Sequence, residues 1–217
     1  MQIAIFLYDH FTALDAVGPY EVLSRLPGTE TVFVAEQRGP VRCDTGHLAL
    51  LADAAIDEVT APDIVLLPGW SGAPQTALLS PGPVHDWLQA VDRSTTWTTS
   101  ACTGSLILAA AGLLAGRRAT THWLALDRLG ELGAIPATER VVFDGKYVTA
   151  AGVSAGIDMA LTLAAQIADP STAQAIQLGI EYDPQPPFDT GSAAKAPAEM
   201  VAAMIAVGDF LMYGGTV

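Results

Sequence analysis

Short, nearly uninterrupted apolar runs recur along this chain, and longer stretches rich in Ala and Leu lie between them. That alternation admits few folds. A strand that is apolar on both faces must be covered on both faces, and parallel strands sandwiched between helices meet that demand. The runs cover residues 2–8, 30–35, 63–67, 96–100 and 146–150, and are read as strands. Helices are expected over 18–26, 103–114, 154–168, 171–182 and 198–213. Gly18-Pro19 is read as the start of the first of these, because Pro costs nothing in a first helical turn. Ser154 reads as a cap, and Asp169-Pro170 as a stop. The Pro-, Gly- and Asp-rich stretch 183–197 reads as an ordered surface crossing. The pattern as a whole predicts an α/β fold with a mainly parallel sheet.

Composition narrows the function. At 217 residues the chain is sized for one domain, and 51% hydrophobic against 15% charged residues excludes intrinsic disorder. A formal charge of −13 repels phosphate backbones and anionic membranes, so nucleic acid is not an expected partner. Only one helix is expected after residue 197, which leaves no room there for a helix-turn-helix module. The N-terminus runs from Met1-Gln2 straight into an apolar stretch that Asp9 interrupts. It has neither the basic region of a signal peptide nor the length of a membrane span, so a cytoplasmic protein with no membrane association is expected. Two cysteines, Cys43 and Cys102, make no disulfide framework. His10, His47, His85 and His122 show no metal-binding spacing, and neither metal nor cofactor is expected.

The most informative segment is Thr96-Trp-Thr-Thr-Ser-Ala-Cys102-Thr-Gly-Ser-Leu-Ile-Leu. It places Cys102 on a turn between a buried strand and a helix N-terminus. In open α/β sheets ligands bind at the carboxyl ends of strands, and helix N-terminal N–H groups favour a thiolate over a thiol. The arrangement follows the logic of a nucleophile elbow, with Ser100 where the first Gly of that motif would stand. A small buried hydrophobe is the plainer role for a free cysteine, and the placement favours function over it. Cys43, in a short polar stretch, is read as incidental.

Ala101-Cys-Thr-Gly-Ser105, Ala119-Thr-Thr-His-Trp123 and Gly152-Val-Ser-Ala-Gly-Ile-Asp158 resemble the ThiJ/PfpI superfamily. Leu14-Asp-Ala-Val-Gly-Pro19, the stretch 112–123, Gln177-Leu-Gly-Ile-Glu-Tyr182 and Pro186-Pro-Phe188 narrow the resemblance to its isocyanide hydratase (isonitrile hydratase) branch, over about residues 3–200. The resemblance implies a single ThiJ/PfpI-like domain, of the class I glutamine amidotransferase-like type, over residues 1–217. It also implies a flavodoxin-like three-layer α/β/α sandwich, a homodimer, and a small neutral substrate.

It further assigns roles. Cys102 becomes the nucleophile and Asp15 the group that manages its proton; from spacing alone Asp15 serves equally as a helix cap. Pro68-Gly69-Trp70 stands where the superfamily usually has Pro-Gly-Gly, at a turn whose backbone donor helps line an anion hollow. Trp70 then either shapes the pocket or turns outward. Thr103 replaces the His that makes the Cys-His dyad of the peptidase branch, so peptidase activity is not expected. Backbone donors at Thr103 and Trp70 are expected to meet developing charge beside Gly69, and Val153 to supply an apolar wall. His122 is read as structural more than catalytic. The expected reaction is hydration of an isocyanide to an N-substituted formamide through a Cys102 thioimidate. The rivals are a glyoxalase-like or other cysteine-dependent enzyme of the superfamily, and a non-catalytic redox sensor or ligand-binding module.

Overall fold

In the computed structural model, which describes residues 1–71 and 76–213, the continuous apolar runs become the middle of one sheet. The strands are β1 (Gln2–Phe6), β2 (Glu30–Ala35), β3 (Gly39–Arg42), β4 (Ala49–Ala52), β5 (Ala54–Ala55), β6 (Ile64–Leu67), β7 (Trp97–Ala101), β8 (Arg118–Ala119), β9 (Ile135–Pro136), β10 (Val141–Asp144) and β11 (Tyr147–Ala150). Seven of them form the main sheet in the order β10-β11-β7-β6-β1-β2-β5. Every pairing in it is parallel except the β10–β11 hairpin. All four residues of β6 and all four of β11 are buried, as strands covered on both faces must be.

The helices are α1 (Ala13–Leu23), α2 (Pro83–Asp92), α3 (Gly104–Ala110), α4 (Leu126–Glu131), α5 (Ala155–Ile167), α6 (Pro170–Gly179) and α7 (Ala198–Tyr213). Helices α1 and α5 pack together on one face, with α6 against α5, while α2 and α3 meet on the other. The result is a three-layer α/β/α sandwich. Ile3, Ile5, Phe6, Leu66 and Leu67 are fully buried at its centre, each side chain contributing about 1.5–3 kcal/mol on leaving water.

Several boundaries differ from the sequence reading, each for a local reason. Helix α1 starts at Ala13, so Gly18-Pro19 lies inside it and does not open it. Pro19 forgoes the N–H that would bond the Asp15 carbonyl, but its ring is set against α5. A Cβ built on Gly156 would stand 3.0 Å from Pro19 Cγ, and one on Gly18 3.0 Å from Ile157 Cγ1. Close helix contact therefore keeps both residues where they are. Helix α3 ends at Ala110, short of the expected 114, as the chain turns through Gly112 at φ 81°. Asp169 does not merely stop α5; its carboxylate accepts the Thr172 N–H at 2.9 Å and caps α6. Ser154 heads α5 without a side-chain cap, its Oγ accepting instead from Arg140. Residues 183–197 form no helix or strand, as expected of a crossing.

Candidate active site

Connections leave β1 toward β2 on one side and return to β6 on the other, so the sheet's topological switch lies between β1 and β6. Crevices beyond the carboxyl ends of strands at such a switch are where open α/β sheets bind ligands. Four sequence-predicted segments converge there. Asp15 stands in the first turn of α1, Gly69-Trp70 follows β6, Cys102 follows β7, and Val153 lies between β11 and α5.

Cys102 sits at φ 56°, in the left-handed region that a non-glycine residue enters only when held. The holding is visible. Its N–H donates to the Ala150 and Ala151 carbonyls at 3.1 Å each. Its own carbonyl accepts the hydroxyls of Thr121 at 3.1 Å and Ser105 at 3.2 Å. This is the strained strand-to-helix turn of a nucleophile elbow. Two glycines let the turn close: a Cβ on Gly104 would lie 2.2 Å from the Leu67 carbonyl oxygen, and one on Gly69 2.5 Å from the Thr103 nitrogen.

Asp15 is fully buried. Its Oδ2 accepts the Gly69 N–H at 3.0 Å, and among the described residues Oδ1 has no partner that meets hydrogen-bond geometry. Burial pushes the carboxyl up to about 8, helped by the charge of Asp44 and opposed by the Gly69 N–H and the Cys102 thiol. Asp15 is thus no capping residue; its side chain belongs to the site. The thiol is also pushed up, by burial first and then by the charge of Asp15. The N–H groups of Val153 and Thr103 work against that rise and favour the thiolate. The N–H at the helix start thus acts in the expected direction, and two other influences act against it. At seven residues α3 is short, and burial beside a second acid outweighs its dipole.

Thr103 and Trp70 are joined more closely than their sequence separation shows. Thr103 Oγ1 accepts the Trp70 N–H at 2.8 Å and donates to the Trp70 carbonyl at 3.1 Å. The Trp70 backbone donor expected to face substrate is thereby consumed within the protein. The indole does not turn outward either. It is 3% exposed within the core, beside a bridge between Phe11 and Trp70, and its Nε1 has no partner among the described residues.

Other residues of the site escaped sequence reading. Tyr8 is buried, donates to the Pro68 carbonyl at 2.8 Å, and is raised by burial and by the charges of Asp15 and Cys102. Asp44 accepts the Thr12 hydroxyl at 2.8 Å and the Ser71 hydroxyl at 2.5 Å, tying three loops beside Asp15. Neither lies in a motif, so only the fold brings them in. Cys43, one residue before Asp44, is buried and its Sγ is 3.2 Å from the Thr45 hydroxyl.

A cleft of about 440 Å³ opens next to the elbow, lined among others by Leu14, His122, Trp123, Arg140, Val153 and Ser154. His122 Nδ1 accepts the Leu124 N–H at 3.3 Å, and burial lowers the ring below the usual histidine range. Its assignment as a structural residue is met by that cap, but the ring also faces the cleft.

A buried cysteine on a strained elbow, sharing its pocket with a carboxyl group at the switch point of a mainly parallel sheet, sets this chain among three-layer α/β/α sandwich proteins with a cysteine at the switch point. The chain belongs to the DJ-1/PfpI family, whose model matches residues 1–166. It is 43% identical over 201 residues to the isonitrile hydratase of Pseudomonas putida, covering 93% of this chain and 87% of the relative. A ThiJ/PfpI family protein from Pseudomonas syringae has a crystal structure similar to this one, with a TM-score of 0.91 and 39% identity over 95% of this chain and 85% of that one. The HTH-type transcriptional regulator CdhR of Pseudomonas aeruginosa is 35% identical over 164 residues, which span 74% of this chain and 48% of the regulator.

Proposed function

We propose that this protein is an isocyanide hydratase, acting on R–N≡C to give R–NH–CHO. The 43% identity to isonitrile hydratase across most of both chains carries this reading, and the buried Asp15–Cys102 pair supplies its chemistry. The two acids lie in one low-dielectric pocket and cannot both ionise cheaply, so near neutrality at least one proton stays with the pair. An isocyanide carbon accepts a nucleophile and a proton at the same atom. Cys102 sulfur bonds to that carbon, and the proton held with Asp15 is delivered to it, leaving the thioimidate R–N=CH–S–Cys102. Water then adds to the same carbon as Asp15 takes its proton. Asp15 passes that proton to nitrogen, the C–S bond breaks as the added hydroxyl loses its own proton, and the formamide departs as that second proton restores the thiol. Every atom of the substrate and of one water is in the product, so no oxidant or cofactor enters. The N–H groups of Val153 and Thr103 stabilise sulfur when it carries charge, and Val153 walls the pocket.

The experiment is incubation of the protein with cyclohexyl isocyanide and, separately, with methylglyoxal, following products by mass spectrometry. N-cyclohexylformamide over many turnovers, lost in Cys102→Ala, supports the hydratase. Lactate from methylglyoxal instead favours a glyoxalase-like enzyme. Stoichiometric Cys102 oxidation with no turnover favours a sensor.

The working form is inferred to be a homodimer. Leu178 and Phe188 are 78% and 77% exposed, and Met200, Met204, Ile205 and Val207 of α7 are about half exposed. Helix α7 carries only Glu199 and Asp209 as charges, in a chain whose net charge is −13. Two such chains can approach best where neither is charged. Sedimentation velocity of the wild type and of Ile205→Glu tests this, a dimer becoming a monomer. The acidic balance argues against nucleic-acid partners, and two unpaired thiols fit the reducing cytoplasm.

A further inference from the structure

His122 is tied to the cysteine from both sides. The preceding residue, Thr121, donates its hydroxyl to the Cys102 carbonyl at 3.1 Å. The imidazole edge lies over Gly152, where a Cβ would come within 2.7 Å of Cδ2 and 3.4 Å of Nε2. The next residue, Val153, turns its N–H on the Cys102 sulfur. The ring therefore lies in the cleft one residue away from the nucleophile along two routes. Its orientation is also set. Nδ1 accepts the Leu124 N–H, so the neutral ring carries its proton on Nε2, which has no hydrogen-bond partner among the described residues. Around it the cleft is mixed, with the apolar side chains of Leu14, Trp123 and Val153 and the hydroxyl residues Thr138, Ser154 and Ser192. The one charge in the lining, Arg140, is answered by Asp158, which also accepts the Tyr182 hydroxyl at 2.9 Å.

An uncharged donor held in place between apolar side chains and small hydroxyls, with the neighbouring cation already paired, favours a particular ligand chemistry. We propose that His122 is a specificity residue whose Nε2–H donates to an uncharged hydrogen-bond acceptor, such as an ester or amide oxygen, carried by the R group of the isocyanide. This rests on the hydratase reading and goes beyond it by naming the kind of R group preferred. A carboxylate in that position must compete with Asp158 for Arg140, and a bare hydrocarbon leaves the donor unpaired on binding.

The test compares kcat/KM for methyl isocyanoacetate and n-pentyl isocyanide, whose R groups have the same number of heavy atoms and differ in the acceptor. Both are measured on the wild type, His122→Asn and His122→Gln. Asn retains an oxygen near the position of Nδ1 and so retains the cap, but is too short to replace Nε2. Gln places an amide N–H near Nε2. Because each probe's intrinsic reactivity cancels between proteins, the ester-to-pentyl ratio reports the donor alone. That ratio is expected to fall about tenfold in His122→Asn and to be largely retained in His122→Gln. Formamide from both probes with an unchanged ratio in His122→Asn overturns this inference and leaves the hydratase reading intact. No formamide from either probe overturns both. A measurement on the wild type keeps the question open to refutation should a variant fail to fold. The product N-formylglycine methyl ester should shift the His122 Nε2 signal in nitrogen NMR, whereas N-pentylformamide should not; equal shifts, or none, overturn it.

Discussion

The Asp15 carboxyl and the Cys102 thiol are buried together, at 0% and 3% exposure; burial raises both, the charge of Asp15 raises the thiol further, and the thiol's hydrogen bond eases ionisation of the carboxyl. Three backbone N–H groups attend the pair, from Gly69 on the carboxylate and from Val153 and Thr103 on the sulfur. That is enough for one negative charge and too little for two. The pair thus holds a proton and a nucleophile in one dry pocket, as an addition to a single carbon requires.

Replacing Asp15 by Asn should change stability in a pH-dependent way. The carboxyl ionises near 3.8 when unfolded and at about 8 when folded. Between these values the native state binds the extra proton. Asp15 therefore favours the fold fully below the lower value, and that contribution is lost as pH rises through the upper one. Asp15→Asn should melt above the wild type by at least about 4 °C at pH 8, with the gap closing toward pH 4. Scanning fluorimetry across that range checks it, and a gap independent of pH would refute the assignment.

The same variant should make the thiol more reactive even as it stops turnover. Removing the neighbouring charge lowers the Cys102 pKa, so more thiolate is present at pH 8. Iodoacetamide should label Cys102 severalfold faster in Asp15→Asn than in wild type, followed by intact-mass spectrometry. Slower labelling would show Asp15 acting as the base that frees the thiolate.

Thr103 is expected to matter for the fold as much as for the chemistry. Thr103→Val keeps the shape and removes the hydroxyl that serves both the N–H and the carbonyl of Trp70. Leaving those buried groups unpaired should cost about 2–4 kcal/mol in urea denaturation, with Thr103→Ser recovering most of it.

Gly104 is a steric requirement. A methyl group there meets backbone, the Leu67 and Pro68 carbonyl oxygens at 2.2 and 2.8 Å, so α3 must lift off the sheet. Gly104→Ala should lose about 3 kcal/mol and with it the elbow. Gly179→Ala, in the last turn of α6 with open space around it, should be neutral or slightly stabilising. Chemical denaturation of the two variants side by side makes the comparison.

Tyr8 acts on Asp15 through the turn between them. Its hydroxyl fixes the Pro68 carbonyl, and the next residue, Gly69, supplies the N–H that holds Asp15 Oδ2. Tyr8→Phe should cost about 1–2 kcal/mol and loosen that N–H, moving the Asp15 pKa further up. The pH at which Asp15-dependent turnover half-develops should rise correspondingly; an unchanged profile would reduce Tyr8 to a packing role.

Much of this was legible in the chain. The sheet's central strands and the elbow at Cys102 follow from continuous apolar runs meeting Ala- and Leu-rich stretches, a pattern local enough to read directly. The placement of Asp15 after the first strand was equally visible. Helix α2 carried a signal that could have found it, since Val84, Trp87, Leu88 and Val91 recur at i, i+3, i+4 and i+7 behind an opening Pro83; the β3–β4 hairpin did not, because strands of four residues carry little periodicity. The start of α1 was misread because Gly-Pro marks a helix opening in isolation, and only contact with α5 explains it inside one.

The layers, the family resemblance and the candidate elbow at Cys102 could be read from the chain, since these depend on pattern and motif over a few neighbouring positions; Asp15 became a candidate through that resemblance. The surroundings that bear on the ionisation of those residues come from the packing of the folded chain. Whether a cysteine at a helix start is a thiolate depends on how deeply it is buried and which charge lies beside it. Burial comes first, and the charge of Asp15, 87 positions earlier in the chain, adds to it; together they outweigh the N–H groups of Val153 and Thr103. Tyr8, Asp44 and His122 enter the site the same way, through distances of a few ångströms that no spacing along the chain encodes. Electrostatic energies fall with separation in space, and folding sets that separation.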